Sequence, residues 1–376
     1  MLDREACIVL NMISGIGYAK YSALTAEFGS PACVFEESCD ALRRIPGIGA
    51  ALADRITESD GDAMLENECR LADKAGVRIV TLFDEEYPDV LRHLYDPPLC
   101  LYVRGKLPVF PDNAVAVVGS RRMSGYGARM TRQMVSEAVD AGFAVVSGLA
   151  FGIDTVAHQT AAENNGVTVA VLPGGLMHIH PRENISLARR IVETGGALVS
   201  EFPMDFPVSR STFPRRNRIV AGLCRATIVM EAGITSGALI TARLALEGGR
   251  DLFAVPGSVE NPQSHGCHQL LKEGAAGLAE HFSDVQNGMG IGYLPGLRPG
   301  EAAEPEKIAY NPDAPSGLAP EARTVWELLD GRELSVDALL TESGLDTGTL
   351  LAALMGLEMK LLVCHGSDQI YRRVKF

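Results

Sequence analysis

Apolar residues recur along this chain in two rhythms. From Ala114 to about Asp284, short unbroken apolar runs alternate with helical stretches. AVAVVG (114–119), FAVVSG (143–148), VTVAVL (167–172), ALVS (197–200), ATIVME (226–231) and DLFAVP (251–256) read as strands. ARMTRQMVSEAVDAG (128–142) and GALITARLALEGG (237–249) between them read as helices. Strands apolar on both faces and separated by helices belong to a parallel sheet covered on each side. The pattern predicts an α/β domain over 114–284 with a doubly wound, Rossmann-like parallel sheet.

The flanks follow a different rhythm. Ile13-Ser14-Gly15-Ile16-Gly17 and Ile45-Pro46-Gly47-Ile48-Gly49 are matching pieces, each followed by a helical pattern. Hairpins between helices that expose glycine amides can sit against a phosphate. The pair resembles a helix-hairpin-helix (SAM-like) module and predicts a small helical domain over 1–75. Few basic residues stand near it (Lys20, Arg43, Arg44, Arg55), which leaves DNA contact and protein docking both open. Residues 76–113 are expected to form a connecting segment packed on the α/β domain. Residues 285–320 are rich in Gly, Pro and Ala without periodicity and predict a linker. Residues 321–376 read as three helical pieces, the last at 346–359, then strand-like LLVCHG and QIYRRV, which looks like a winged helix. The last of these helices, Asp346 to Glu358, carries no Arg or Lys, so docking or regulation is expected of the unit rather than base reading in a major groove.

Bulk composition narrows the class. At 376 residues, 47% hydrophobic and 22% charged, the chain predicts two or three well-packed domains. No charge-free apolar run reaches membrane-spanning length, and the acidic start, MLDREACIVLNM, lacks the basic region of a signal peptide. Eight cysteines without a CxxC pair predict reduced thiols and a cytoplasmic protein. The net charge of −13 speaks against a polyanionic partner until its distribution is considered. Between Gly119 and Arg250 there are 14 Arg, no Lys and 10 Asp plus Glu. The guanidinium fork matches two phosphate oxygens, so an arginine-only excess suits phosphate clamps.

Doubly wound sheets bind ligands beyond the carboxyl ends of their strands. Gly119, Ser120, Arg121 and Arg122 follow the first strand of the 114–284 domain, and a helix start follows them. This is neither a dinucleotide fingerprint nor a Walker motif. Asp154 and His158 stand one helical turn apart, and a loop-capping Asp with a partner His is the plainer reading than a catalytic or metal pair. His178 and His180 lack a third ligand at a sensible spacing, so no metal is expected. Arg182 follows the third strand. FPRRNR (213–218) supplies Arg215, Arg216, Asn217 and Arg218, and Ser236, Gly237 and Thr241 open a further helix. So many phosphate-friendly groups exceed what one nucleotide needs and point to a polyanion.

GSRRMSGYG, VVSGLAFGIDTVAH, VAVLPGGL, LVSEFP, FPRRNRIVAGL, SGALITARLALEGGRDLFAVPG and GCHQLLKEGA resemble the DprA/Smf family in order and spacing over about 114–283. The resemblance implies a dimeric, single-stranded DNA-binding protein of natural transformation that loads RecA, without catalysis or cofactor. It assigns the binding motifs to Gly119, Ser120 and Arg121, to Arg182, to Arg216, Asn217 and Arg218, and to the Ser236–Ala242 segment. Two positions depart from the family pattern: its usual Tyr is His180 and its usual Asn is His268, although imidazole can still stack on a base. A rival resemblance, to nucleotide phosphoribohydrolases with a PGG loop, would make Glu201 or Glu231 an acid/base. Their PGGxGTxxE motif is broken here, where Pro173-Gly174-Gly175 continues as LMHI. A third reading, a pure adaptor acting through docking surfaces, makes DNA contact incidental.

Overall fold

The computed structural model describes residues 1–108, 113–290, 318–332, 334–360, 362–365 and 370–373. It forms two compact units, Met1–Gly300 and Glu301–Phe376. The first is built on a nine-stranded sheet: β1 (Val77–Thr81), β2 (Cys100–Gly105), β3 (Ala114–Gly119), β4 (Ala144–Ser147), β5 (Thr168–Val171), β6 (Ala197–Ser200), β7 (Ala226–Glu231), β8 (Asp251–Ala254) and β9 (Gly277–Leu278). Their spatial order is β1-β2-β6-β5-β4-β3-β7-β8-β9. Strands β3 to β9 run parallel, as the apolar runs predict. Every residue of β4, β5, β6 and β7 is buried, because helices cover both faces.

The chain winds from β3 to β6 in one direction, then returns across β3 to lay down β7 and β8. The connections after β3 and β7 therefore diverge to opposite faces and leave a crevice between them. Two apolar clusters fill the layers above and below the sheet, one around Val118, Val146 and Val220, the other around Val117, Met134 and Phe282.

The segment 76–113, expected to be a connection, contributes β1 and β2. These extend the sheet past β6 in antiparallel pairing, with Val103 opposite Val199. Helices Asp3–Met12, Tyr18–Phe28, Ala50–Thr57 and Gly61–Ala75 form the N-terminal module. Its core (Ile8, Leu10, Leu24, Ile56) is continuous with Tyr102, Leu198 and Met204 of the sheet region. Polar ties reinforce this joint. Asn11 Nδ2 donates to the Glu201 carbonyl at 3.2 Å, and the buried Glu68 carboxylate accepts from Met204 N at 2.7 Å. At the first hairpin, Lys20 Nζ folds back onto the Gly15 carbonyl at 2.9 Å.

Of the expected linker 285–320, the first residues belong to helix Phe282–Gly288, and 291–317 lie outside the described residues. The second unit has helices Pro320–Leu328, Val336–Ser343 and Thr347–Met359 around Trp326, Leu339, Leu354 and Leu357. Strand Ile370–Arg373 pairs antiparallel with both Leu334–Ser335 and Val363–His365. This is the winged helix that the sequence predicts. No helix among the described residues is long and apolar enough to cross a membrane.

Candidate nucleic-acid interface

A cleft of about 550 Å³ opens at the crevice between β3 and β7. One wall is the loop after β3, Gly119 to Arg122. A second is the turn and helix start after β7, including Ser236, Gly237 and Thr241. The third is helix Thr212–Gly222, which presents Phe213, Arg216, Asn217 and Val220. These stand at i, i+3, i+4 and i+7, one stripe of a helix. Four arginines (121, 122, 210 and 216) and one aspartate (154) line the cleft, a balance of +3 inside an acidic chain.

Hydrogen bonds fix the loop after β3. Ser120 N donates to the Glu231 carbonyl at 2.7 Å, and Ser120 Oγ donates to Gln263 Oε1 at 2.7 Å while accepting from Arg122 N at 3.0 Å. The hydroxyl thus shapes the loop, leaving the guanidiniums of Arg121 and Arg122 exposed. Gly152, at φ +77°, lets the next loop pass beneath: a Cβ there would sit 2.2 Å from the Ser120 carbonyl oxygen. Asp154 Oδ2 accepts from Gly148 N at 3.1 Å and Ala150 N at 3.3 Å, and His158 Nδ1 pairs with Thr168 Oγ1 at 2.7 Å. These two residues therefore brace the loop and the sheet. Burial raises the Asp154 carboxyl, with the Arg216 charge opposing.

Arg216 is buried in the cleft wall. Its Nη1 donates to the Val171 carbonyl at 2.7 Å and its Nε to Asn217 Oδ1 at 3.1 Å. Gly148 makes room for it, since a Cβ there would meet Nη1 at 1.7 Å. Burial pulls this guanidinium down to about 10, the Asp154 charge opposes, and nearby Arg121 adds to the lowering. Arg216 is still cationic at neutral pH and supplies fixed positive potential from behind the surface.

Two residues absent from the sequence-derived set complete the cleft. Arg210 lines it, and the half-buried ring of Phe213 lies under the Arg121 guanidinium, 4.7 Å from Cζ to ring centroid. His180 meets the same ring edge-on at 6.0 Å. The Arg121–Phe213 pair has planes on which a nucleobase can stack.

The structure brings Gly119, Ser120, Arg121, Arg122, Arg216, Asn217, Ser236, Gly237 and Thr241 together, and separates two others of the expected set. Arg182 lies in a neighbouring cleft with His178 and His180. Arg218, expected at the phosphate pocket, points to the far side of its helix. There it pairs with Glu201, and its Nε lies 3.3 Å from Asp96 Oδ2. Arg215 shares Glu201 at 3.1 Å and covers Phe202. Glu201 is thereby neutralised and buried. Glu231 is also buried, accepting from Ser124 N at 2.7 Å and Asn261 Nδ2 at 2.8 Å. Neither of the carboxylates considered as an acid/base lines the cleft. Among the described residues, no group of three potential ligands could hold a metal.

A doubly wound sheet with arginines gathered at its switch point, preceded in sequence by a helical module and followed by a winged helix, defines a multidomain α/β protein with a cationic cleft. The chain belongs to the DNA recombination-mediator protein A family, whose pattern matches residues 78–290. The DprA winged helix domain matches 310–369, and a SAM-like helix-hairpin-helix tandem matches 8–59. It is 41% identical over 277 residues to protein Smf of Escherichia coli (strain K12), covering 73% of this chain and 72% of that one. It is 43% identical over 195 residues to the DNA processing protein DprA of Streptococcus pneumoniae (strain ATCC BAA-255 / R6), covering 52% and 68%. The X-ray structure of DNA processing protein A from S. pneumoniae superposes with a TM-score of 0.65 at 34% identity, over 76% of this chain and 98% of that chain. A solved structure of DNA processing protein A from Helicobacter pylori, described for its unique single-stranded DNA binding mode, gives a TM-score of 0.51 at 30% identity over 57% of this chain and 96% of that chain.

Proposed function

We propose that this protein binds single-stranded DNA without sequence preference through the cleft between β3 and β7, and hands the strand to RecA during DNA uptake and recombination. The observation that carries the reading is the +3 cleft with an arginine-capped aromatic at its mouth. Phosphates meet Arg121, Arg122 and Arg210, while a base stacks at Phe213. Backbone charge and base faces are common to all sequences, so such a site grips a strand without reading it. The single-stranded DNA binding of the H. pylori relative supports the same reading. It includes a homodimer acting in the cytoplasm, with no catalytic step and no cofactor.

Fluorescence anisotropy with single- and double-stranded oligonucleotides of matched sequence, across a salt series, tests this. Single strands are expected to bind more tightly, with log affinity falling linearly against log salt. Equal affinity for duplex and single strand would refute it. RecA filament formation on DNA coated with a single-strand binding protein then tests the handover, with and without residues 321–376.

A further inference from the structure

The neighbouring cleft, about 620 Å³, is framed by β2, β6 and helix Ile185–Glu193. Three guanidiniums line it: Arg104 on β2, Arg182 before the helix, and Arg189 on the helix. All three residues are exposed. Among the described residues, none of their guanidiniums makes a hydrogen bond or ion pair, whereas Arg190, one position on, lies within ion-pair distance of Glu163 at 3.9 Å. One carboxylate, Glu193, shares the wall, so the local balance is +2. Unpaired arginines held on a strand and a helix around a concave surface form a preset anion site, because the scaffold fixes their spacing.

The two clefts communicate. Phe213, on the rim of the first, carries Arg121 on its face, and its edge neighbour His180 lines the second. We infer that the second cleft is a further phosphate subsite for the same single strand. On this path the strand leaves the first cleft past Phe213 and His180 and lays its next phosphodiesters on Arg182, Arg189 and Arg104. The inference rests on the proposed single-strand binding and extends it to two residues that no motif marks, Arg104 and Arg189. A connected strand rather than a free anion is the fitting occupant, because the rings between the clefts offer stacking surfaces that join one phosphate site to the other.

The test uses the full chain and two oligothymidylates, of about 4 and about 16 nucleotides, the span of sizes that single-strand sites cover. The double variant Arg104→Ala/Arg189→Ala is expected to lower the salt slope for the longer strand by about 1.4, two contacts at about 0.7 each. The shorter strand is expected to bind within twofold of the parent. Arg121→Ala weakens both lengths. The double variant Arg104→Lys/Arg189→Lys keeps most of the slope, and thermal melts check that the surface changes leave folding intact. An unchanged slope for the longer strand, or equal loss at both lengths, would overturn the second subsite while single-strand binding stands. Failure of the parent to bind either length would overturn both readings. Inorganic phosphate at matched ionic strength provides a further arm. It is expected to compete away the extra affinity of the longer strand in the parent and to have little effect on the double alanine variant, and an equal effect on both proteins would overturn the second subsite.

Discussion

Replacing Phe213 with Ala separates stacking from charge within one cleft. The ring is half-buried, with Arg121 on its face at 4.7 Å and His180 at its edge at 6.0 Å. Truncation removes the surface for one base, which amounts to about 1–3 kcal/mol, or a roughly 5- to 150-fold weaker complex. No guanidinium is deleted, so the plot of log affinity against log salt should shift down and stay parallel. Phe213→Tyr keeps the ring and should bind within twofold of the parent. The assay is anisotropy with a mixed-sequence oligonucleotide and with an abasic strand of the same length. On the abasic strand Phe213→Ala should make no difference, because there is no base to stack. An equal loss on both strands would refute base stacking, and a slope change of about 0.7 or more would show that a phosphate contact was removed instead.

Three further outcomes are expected. Arg121→Ala should cut the salt slope by about 0.7, so its deficit shrinks roughly 2- to 3-fold between 50 and 200 mM salt. The deficit should be the same on every sequence, and a variant whose slope matches the parent argues against a phosphate contact. Glu201→Gln leaves Arg218, only 13% exposed, without its main counter-charge, and should cost about 3–5 kcal/mol in urea unfolding. A loss under about 1 kcal/mol would show that the pair is solvated. His158 is fully buried beside the sheet, and burial holds its imidazole down to about 3. As pH falls below about 6.5 the unfolded chain takes up the proton first, so stability from the neutral ring is complete above that pH and is lost toward pH 3. Between pH 7.5 and 5 this removes about 2 kcal/mol, and His158→Gln should flatten the pH slope by that amount. An equal slope in parent and variant would show that His158 protonates in the native state.

The strands of the parallel sheet were legible because burial on both faces leaves a run of β-branched and other apolar residues with no polar alternation. Strands β1 and β2 were less so: VRIVT and CLYVRG are short, include arginines, and lie among turns, so only the pairing of β2 with β6, and of β1 with β2, reveals them. Within FPRRNR the charges stood out and the geometry did not. A helix places residues 213, 216, 217 and 220 on one face and turns 215 and 218 away. That spacing sets Phe213 and Arg216 on one face and Arg218 on another, and the structure shows the first face lining the cleft and the second meeting Glu201. Arg104 and Arg189 carry no such local signal. They meet only because β2 is laid antiparallel against β6, beneath the helix that precedes it.

The grip of Asn11 and Glu68 on the segment 201–204 changes how truncations of this chain should be read. That segment leads into Arg210 and Phe213, so the N-terminal helices act as a splint for one wall of a cleft whose lining includes none of their residues. Cutting the chain after Ala75 to isolate the sheet would strip the Met204 amide of its acceptor and uncover the core around Leu198. A drop in DNA affinity after such a cut would then include the effect of a slackened wall, and could not be assigned to the missing helices alone.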